Sequence, residues 1–242
     1  HHRAAEVTRN EWRQAWVPRE VRLVRKVSLC LVFVALAFAA NAIEIVVHRG
    51  ANKLAPEDTR AAAQACIDLK ADYVEIDARN SKDGVMYILH DTDVDRTTDG
   101  HGPLHKLTSV EIDKLDAGSW FDAKFKEERI PRLDEYLRWI KGKAKVYFDV
   151  KSVDLPKLLE LIHDVGMDKD CFFWFEVPAR NQYLRQLSPD AAIKVNASTA
   201  EEVRAADDQW DIQLVETSVE SVENPEFVSV YAPPAARNEA PG

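Results

Sequence analysis

The reading turns on residues 46–91, which run V-V-H-R-G-A from Val46, A-P-E-D-T from Ala55, Y-V-E-I-D-A-R from Tyr73 and G-V-M-Y-I-L-H-D from Gly84. Two apolar runs lead straight into histidines, His48 and His90, and between them a third carries Glu75 and Asp77. Residues two apart in a strand share a face, so Glu75 and Asp77 point one way while Val74 and Ile76 point the other. Two carboxylates on one face repel unless a cation sits between them. Beside two imidazoles and Arg49, that arrangement suits a metal-assisted site for a phosphate ester.

Outward from this stretch, strand-like and helix-like segments alternate. Strands are expected at 43–47, 73–78, 85–89, 145–150, 171–175, 192–195 and 212–216. Helices are expected at 59–69, 156–165 (stopped by Gly166), 180–187 and 199–206, the last with Ser198 and Glu201 as a capping box. Repeated units of this length predict an α/β fold with a parallel sheet closed as a (β/α)8 TIM-type barrel. Chemistry in such barrels sits at the C-terminal strand ends, where His48, His90 and Lys151 fall. The segment 92–133 interrupts the alternation as a short insertion after the third strand, placed to form a lid or wall. It carries Thr108 with Glu111 as a capping box, a short helix ending at Gly118, and the pair Trp120 and Phe121. Gly50 and Gly118 read as turn and helix-stop residues.

The chain has 242 residues, 46% of them hydrophobic, with no internal repeat or low-complexity linker to argue for two domains. Arg22, Arg25 and Lys26 precede an apolar run over 27–40, and Ala40-Asn41-Ala42 is a small-x-small site, the pattern of a secretory signal peptide. As a helix the run spans only ~20 Å against a hydrocarbon core of ~30 Å. Cleavage near Ala42 and an exported protein, periplasmic or extracellular, with no stable membrane anchor are expected. The expected organisation is an upstream extension at 1–20, the signal at 21–42, a barrel at 43–230 and a divergent tail at 231–242. The first 42 residues hold seven basic and three acidic side chains, so the remainder carries 25 Lys and Arg against 38 Asp and Glu. Its net charge of −13 disfavours nucleic acid and anionic bilayers as partners. Cys66 and Cys171 fit no metal-ligand spacing and read as two separately buried thiols.

Several separated motifs together resemble the glycerophosphodiester phosphodiesterase family of (β/α)8-barrel enzymes. They are His48-Arg49-Gly50, Pro56-Glu57-Asp58-Thr59, Glu75-Ile76-Asp77, His90-Asp91, the run D-R-T-T-D-G-H-G from Asp95, L-D-A-G-S-W-F from Leu115, and Asp149-Val150-Lys151. The resemblance implies a metal-dependent hydrolase acting on a small glycerophosphodiester such as glycerophosphocholine, releasing glycerol 3-phosphate and an alcohol. It implies His48 and His90 as the acid and base pair, and Arg49, Glu57 and Lys151 as substrate-binding residues. Glu75, Asp77 and Asp149 are implied as ligands of one divalent cation, Mg²⁺ or Ca²⁺. Intact or lysophospholipid as substrate, in a phospholipase D-like reaction, and an inactive phosphate-ester-binding remnant are the alternatives. The oligomeric state is not legible in the sequence.

Three departures from the family pattern stand out. Asp58 occupies a position where Asn is usual and is expected to add negative charge. Asp149 replaces a common Glu, with ~1.5 Å less reach. The C-terminal end reads as lacking the last one or two strands, with only a one-turn helix begun by Asn224 and Pro225.

Overall fold

The computed structural model describes residues 44–217. The expected signal segment, the upstream extension, the C-terminal tail and the helix at Asn224 lie outside the described residues. Strand β1 is Val46–Val47, β2 Tyr73–Asn80, β3 Met86–Ile88, β4 Lys145–Ser152, β5 Cys171–Trp174, β6 Ala192–Asn196 and β7 Leu214–Glu216. Helix α1 is Arg60–Asp68, α2 Ser109–Ile112, α3 Leu133–Ile140, α4 Leu155–Val165, α5 Ala179–Leu187 and α6 Ala200–Trp210. Six strands form a parallel sheet in the order β1-β2-β4-β5-β6-β7, each pair separated by at least one helix. This is the expected α/β architecture, the curled parallel sheet of a TIM-type barrel. Among the described residues no helix is long and apolar enough to cross a membrane.

Strands β2, β4, β5 and β6 divide their side chains by the two-residue period. Val74, Ile76, Ala78, Val146, Phe148, Val150, Cys171, Phe173, Ile193 and Val195 enter one core with the helices. Leu133, Tyr136, Leu137 and Ile140 meet them from α3, and Leu155, Leu158 and Ile162 from α4. The opposite face carries the polar and aromatic residues of the site. The helix ends follow from local chemistry. The Thr59 hydroxyl accepts from the Ala62 amide at the start of α1, and Asp154 accepts from the Lys157 amide at the start of α4. Gly166, at φ +73°, ends α4. The box opening α6 is Thr199 with Glu202, one residue later than the sequence suggests. The Thr199 hydroxyl accepts from the Glu202 amide at 3.2 Å.

The third strand differs from expectation. β3 is antiparallel to β2, with Ala78 beside Ile88 and Asn80 beside Met86, and is a hairpin arm off the parallel ladder. Ile88 still enters the main core, while Tyr87 and Leu89 turn into a second core with Val94, Leu104, Ile112, Ala117 and Ile130. The insertion is thus a small packed unit on the back of β3. Helix α2 ends at Ile112, well before Gly118. A Cβ at Gly118 would lie 1.9 Å from the Phe125 carbonyl oxygen, so close backbone approach, and not helix termination, fixes that glycine. Gly50 combines φ +70° with a would-be Cβ 2.8 Å from Ala62 Cβ, joining a turn to a close approach to α1. Cys66 and Cys171 are free and buried, as the sequence suggested.

Candidate active site

The parallel register of β2 and β4 sets Asp77 beside Asp149 and Glu75 beside Tyr147. Glu75 and Asp77 therefore share a face with Tyr147, Asp149 and Lys151. One carboxylate oxygen from each of Glu75, Asp77 and Asp149 lies within 4.8 Å of the other two, and all three residues are buried. Among the described residues neither Asp77 oxygen nor Asp149 Oδ1 has a hydrogen-bond partner, although Lys151 and Arg49 stand 3.3 Å and 3.7 Å from the two Asp77 oxygens. Buried carboxylate oxygens without partners are costly unless a cation or proton compensates them. Three hard oxygen donors fit a divalent cation such as Ca²⁺ or Mg²⁺. The shorter Asp149 side chain reaches the cluster.

Two fixed cations flank the carboxylates. Lys151 Nζ lies 3.3 Å from Asp77 Oδ1, pairs closely with Asp149 Oδ2, and sits 5.5 Å from the centre of the Trp174 ring. Arg49 donates its backbone N–H to Glu75 Oε2 at 2.5 Å. Its Nε is 3.7 Å from Asp77 Oδ2, and its Nη1 is 3.2 Å from Glu57 Oε1. Arg49 and Asp58 both adopt left-handed backbone, at φ +54° and +59°, and the Asp58 amide donates to the Arg49 carbonyl at 3.1 Å. Non-glycine residues in that region cost about 1–3 kcal/mol each and persist where surroundings hold them.

The electrostatics follow from burial among like charges. Burial first, then the Asp77 charge, pushes Glu75 up to about 8. Burial also raises Asp149, against the opposing pull of its hydrogen bond to Lys151. Burial pulls the Lys151 ammonium down, but its bond to Asp149 and the Asp77 charge outweigh this and leave it raised. The Asp58 carboxyl is fully enclosed beside Asp77 and Glu75, and burial drives it well above the ordinary range. Among the described residues neither Asp58 oxygen has a hydrogen-bond partner.

His48, Glu75 and Asp149 line a cleft of about 560 Å³ with Tyr147, Trp174 and Lys194. Partial burial and the neighbouring Arg49 lower the His48 pKa, against the opposing charge of Asp77. His90 lies in a second hollow with Arg79, Asp91 and Arg96, close enough for its charge to act on His48 and Asp149. Its Nδ1 is 2.7 Å from Asp91 Oδ1. Burial raises Glu57, but hydrogen bonds and charge from Arg96, followed by Arg49, bring it below the usual carboxylate range. The structure thus gathers the eight sequence-predicted residues at one end of the sheet. His101 and His163 are exposed surface partners of Asp95 and Asp168. Trp120 is 42% exposed and packs edge-on against Phe121 on the insertion.

Three site residues escaped the sequence reading. Arg79 donates to the Leu89 and His90 carbonyls, and its position two residues beyond Asp77 was an available signal. Arg96 bridges Glu57 and Asp91. Lys194, buried on β6, donates to the Tyr147 hydroxyl at 3.1 Å and pairs with Glu216. Alternation along β6, with Ile193 and Val195 in the core, already pointed Lys194 at the cleft.

The model of the glycerophosphoryl diester phosphodiesterase family matches residues 48–238. A glycerophosphodiester phosphodiesterase of Caldanaerobacter subterraneus subsp. tengcongensis is 46% identical over 109 residues, 45% of this chain and 45% of that protein. The chain spans about half the length, or less, of such curated relatives. A glycerophosphodiester phosphodiesterase structure from Agrobacterium tumefaciens is similar at 37% identity and a TM-score of 0.75, over 78% of this chain and 82% of that one. A phosphodiesterase from Oleispira antarctica, solved with the product sn-glycerol-3-phosphate, is similar at 26% identity and a TM-score of 0.67, over 75% and 79%.

Proposed function

From the premise that this chain belongs to the glycerophosphoryl diester phosphodiesterase family, we propose that it is a phosphoric diester hydrolase. Its substrates are glycerophosphodiesters such as glycerophosphocholine, cleaved to glycerol 3-phosphate and an alcohol. The observation that carries the reading is the carboxylate triad with unpartnered oxygens, set between His48, Arg49 and Lys151. A product-type ligand, sn-glycerol-3-phosphate, bound to the similar Oleispira phosphodiesterase supports the substrate class.

A phosphodiester resists cleavage because its anionic oxygens repel the nucleophile and its alkoxide leaves poorly. A catalyst neutralises the first and moves protons for the second. A divalent cation held by Glu75, Asp77 and Asp149, Mg²⁺ or Ca²⁺, would supply charge neutralisation at the phosphoryl group. Arg49 and Lys151 add fixed positive charge, and Glu57 orients Arg49 toward the substrate. His48, whose pKa is lowered by partial burial and Arg49, takes the proton of the attacking hydroxyl. His90, with Asp91 as counter-charge on Nδ1, returns a proton to the leaving oxygen. His48→Ala and His90→Ala are each expected to lower kcat by at least about 100-fold on glycerophosphocholine, as loss of a general acid or base does. A folded His48→Ala variant with wild-type kcat would remove His48 from the chemistry.

A further inference from the structure

We propose that Arg96 is a positioning residue, whose guanidinium clamps Asp91 and Glu57 together and so fixes the ring nitrogen that His90 presents to the substrate. The proposal rests on the diesterase reading only for its kinetic arm. Arg96 Nε donates to Asp91 Oδ2 at 2.6 Å and Nη2 to Asp91 Oδ1 at 3.1 Å. On the other side Nη1 donates to Glu57 Oε2 at 3.0 Å and Nη2 to Glu57 Oε1 at 2.6 Å. One planar fork thus joins the loop after β1, which carries Glu57, to the turn after β3, which carries His90 and Asp91.

The consequence for His90 follows from donor and acceptor counting. Asp91 is held down to about 2, first by its hydrogen bond to Arg96, and an ionised carboxylate only accepts. The 2.7 Å contact between Asp91 Oδ1 and His90 Nδ1 therefore carries a proton on Nδ1. In the neutral ring Nε2 is then bare and can take up a proton, and in the imidazolium so formed Nε2–H is the proton given to the leaving oxygen. Arg79 holds the same turn from the other side, donating from Nη2 to the His90 carbonyl oxygen at 2.6 Å. Ring and backbone of His90 are thus fixed by two different arginines. Lysine at position 96 would keep the charge but could not make four in-plane bonds.

The Arg96 side chain is 45% exposed, so its ion pairs contribute little to stability, and the melting temperature of Arg96→Met should fall by no more than about 3 °C. The test reads ¹⁵N shifts of the neutral His90 ring in the full chain, together with kcat. Wild type should show a protonated Nδ1 and a bare Nε2. Arg96→Met and Asp91→Asn should each give a mixed tautomer population and a kcat lower by about 10–100-fold. The double variant should be no worse than either single by more than about twofold, because both break one linkage. Arg96→Lys, which keeps the charge, should show the same mixed tautomers. An unchanged tautomer in folded Arg96→Met or Arg96→Lys, or multiplicative losses in the double variant, would overturn the proposal. A wild-type chain that cleaves no glycerophosphodiester counts against the diesterase reading alone, since the tautomer result still decides this one.

Discussion

Glu75 and Asp149 are held among like charges, and that has a thermodynamic signature. The unfolded reference for a glutamate is about 4.3. Folding without a cation raises Glu75 to about 8, so the folded state binds its proton more tightly than the unfolded one. A group raised in this way stabilises the fold fully below its unfolded pKa, and the contribution is lost as pH rises through the folded value. Asp149 and Asp58 are shifted in the same direction by burial. The melting temperature of the cation-free chain should therefore fall between about pH 5 and about pH 8, as linkage dictates. Added Mg²⁺ or Ca²⁺ should raise it more at the upper end, where fewer protons compete with the cation for the ligands. A stabilisation by cation that is equal at both ends, or a cation-free midpoint that rises with pH, would contradict the arrangement. At this scale the sequence was most legible where alternation applied. Glu75 with Asp77, and Asp149 with Lys151, fell on one face as the period of two requires. The burial of Asp58 beside Asp77 and Glu75, which pushes its carboxyl up, is not carried by motif position.

The element that departed most from expectation is β3. Its apolar alternation was legible, but alternation carries no information about strand direction. The turn did carry it. Asp83-Gly84 between two strand-like runs is a strong hairpin signal. Ser81 donates from its hydroxyl to Asp83 Oδ1 at 2.7 Å and accepts from the Val85 amide at 2.9 Å, with Gly84 at φ +84°. The hairpin folds β3 back along β2, so the Leu89 amide reaches the Asp77 carbonyl at 2.8 Å and His90 returns to the carboxylates. Helix α3 was also missed, although Leu133, Tyr136, Leu137 and Ile140 follow helical spacing and are all buried. The preceding insertion masked its start. Packing of that insertion depends on Gly118, where a methyl group would meet the Phe125 carbonyl oxygen at 1.9 Å. Gly118→Ala should destabilise the chain by about 1–3 kcal/mol, the usual range for overpacking, as read from its urea unfolding midpoint. An unchanged midpoint would mean that the insertion is not part of the cooperative unit.

Across the molecule, the chemistry is assembled from turns far apart in sequence. β1 delivers His48 and Arg49, β2 delivers Glu75 and Asp77, the β3 hairpin returns His90, and β4 delivers Asp149 and Lys151. β5 and β6 supply the wall of Trp174 and Lys194. The parallel register makes this convergence automatic, because strands of one direction bring their C-terminal ends to one edge. That is why the fold class, and the meeting of eight residues from separated motifs at one end of the sheet, were legible in the sequence. Arg96 could not, because its role depends on two loops meeting. The central claim is that the buried carboxylates form the working centre of a cation-dependent diesterase. Its most direct test is release of glycerol 3-phosphate from glycerophosphocholine by the chain after chelator treatment and after return of Mg²⁺ or Ca²⁺, with Asp77→Asn beside it. Release should disappear with the chelator, return with a divalent cation and be absent in the folded Asp77→Asn variant. Release that survives chelation, or that Asp77→Asn retains in full, would contradict it.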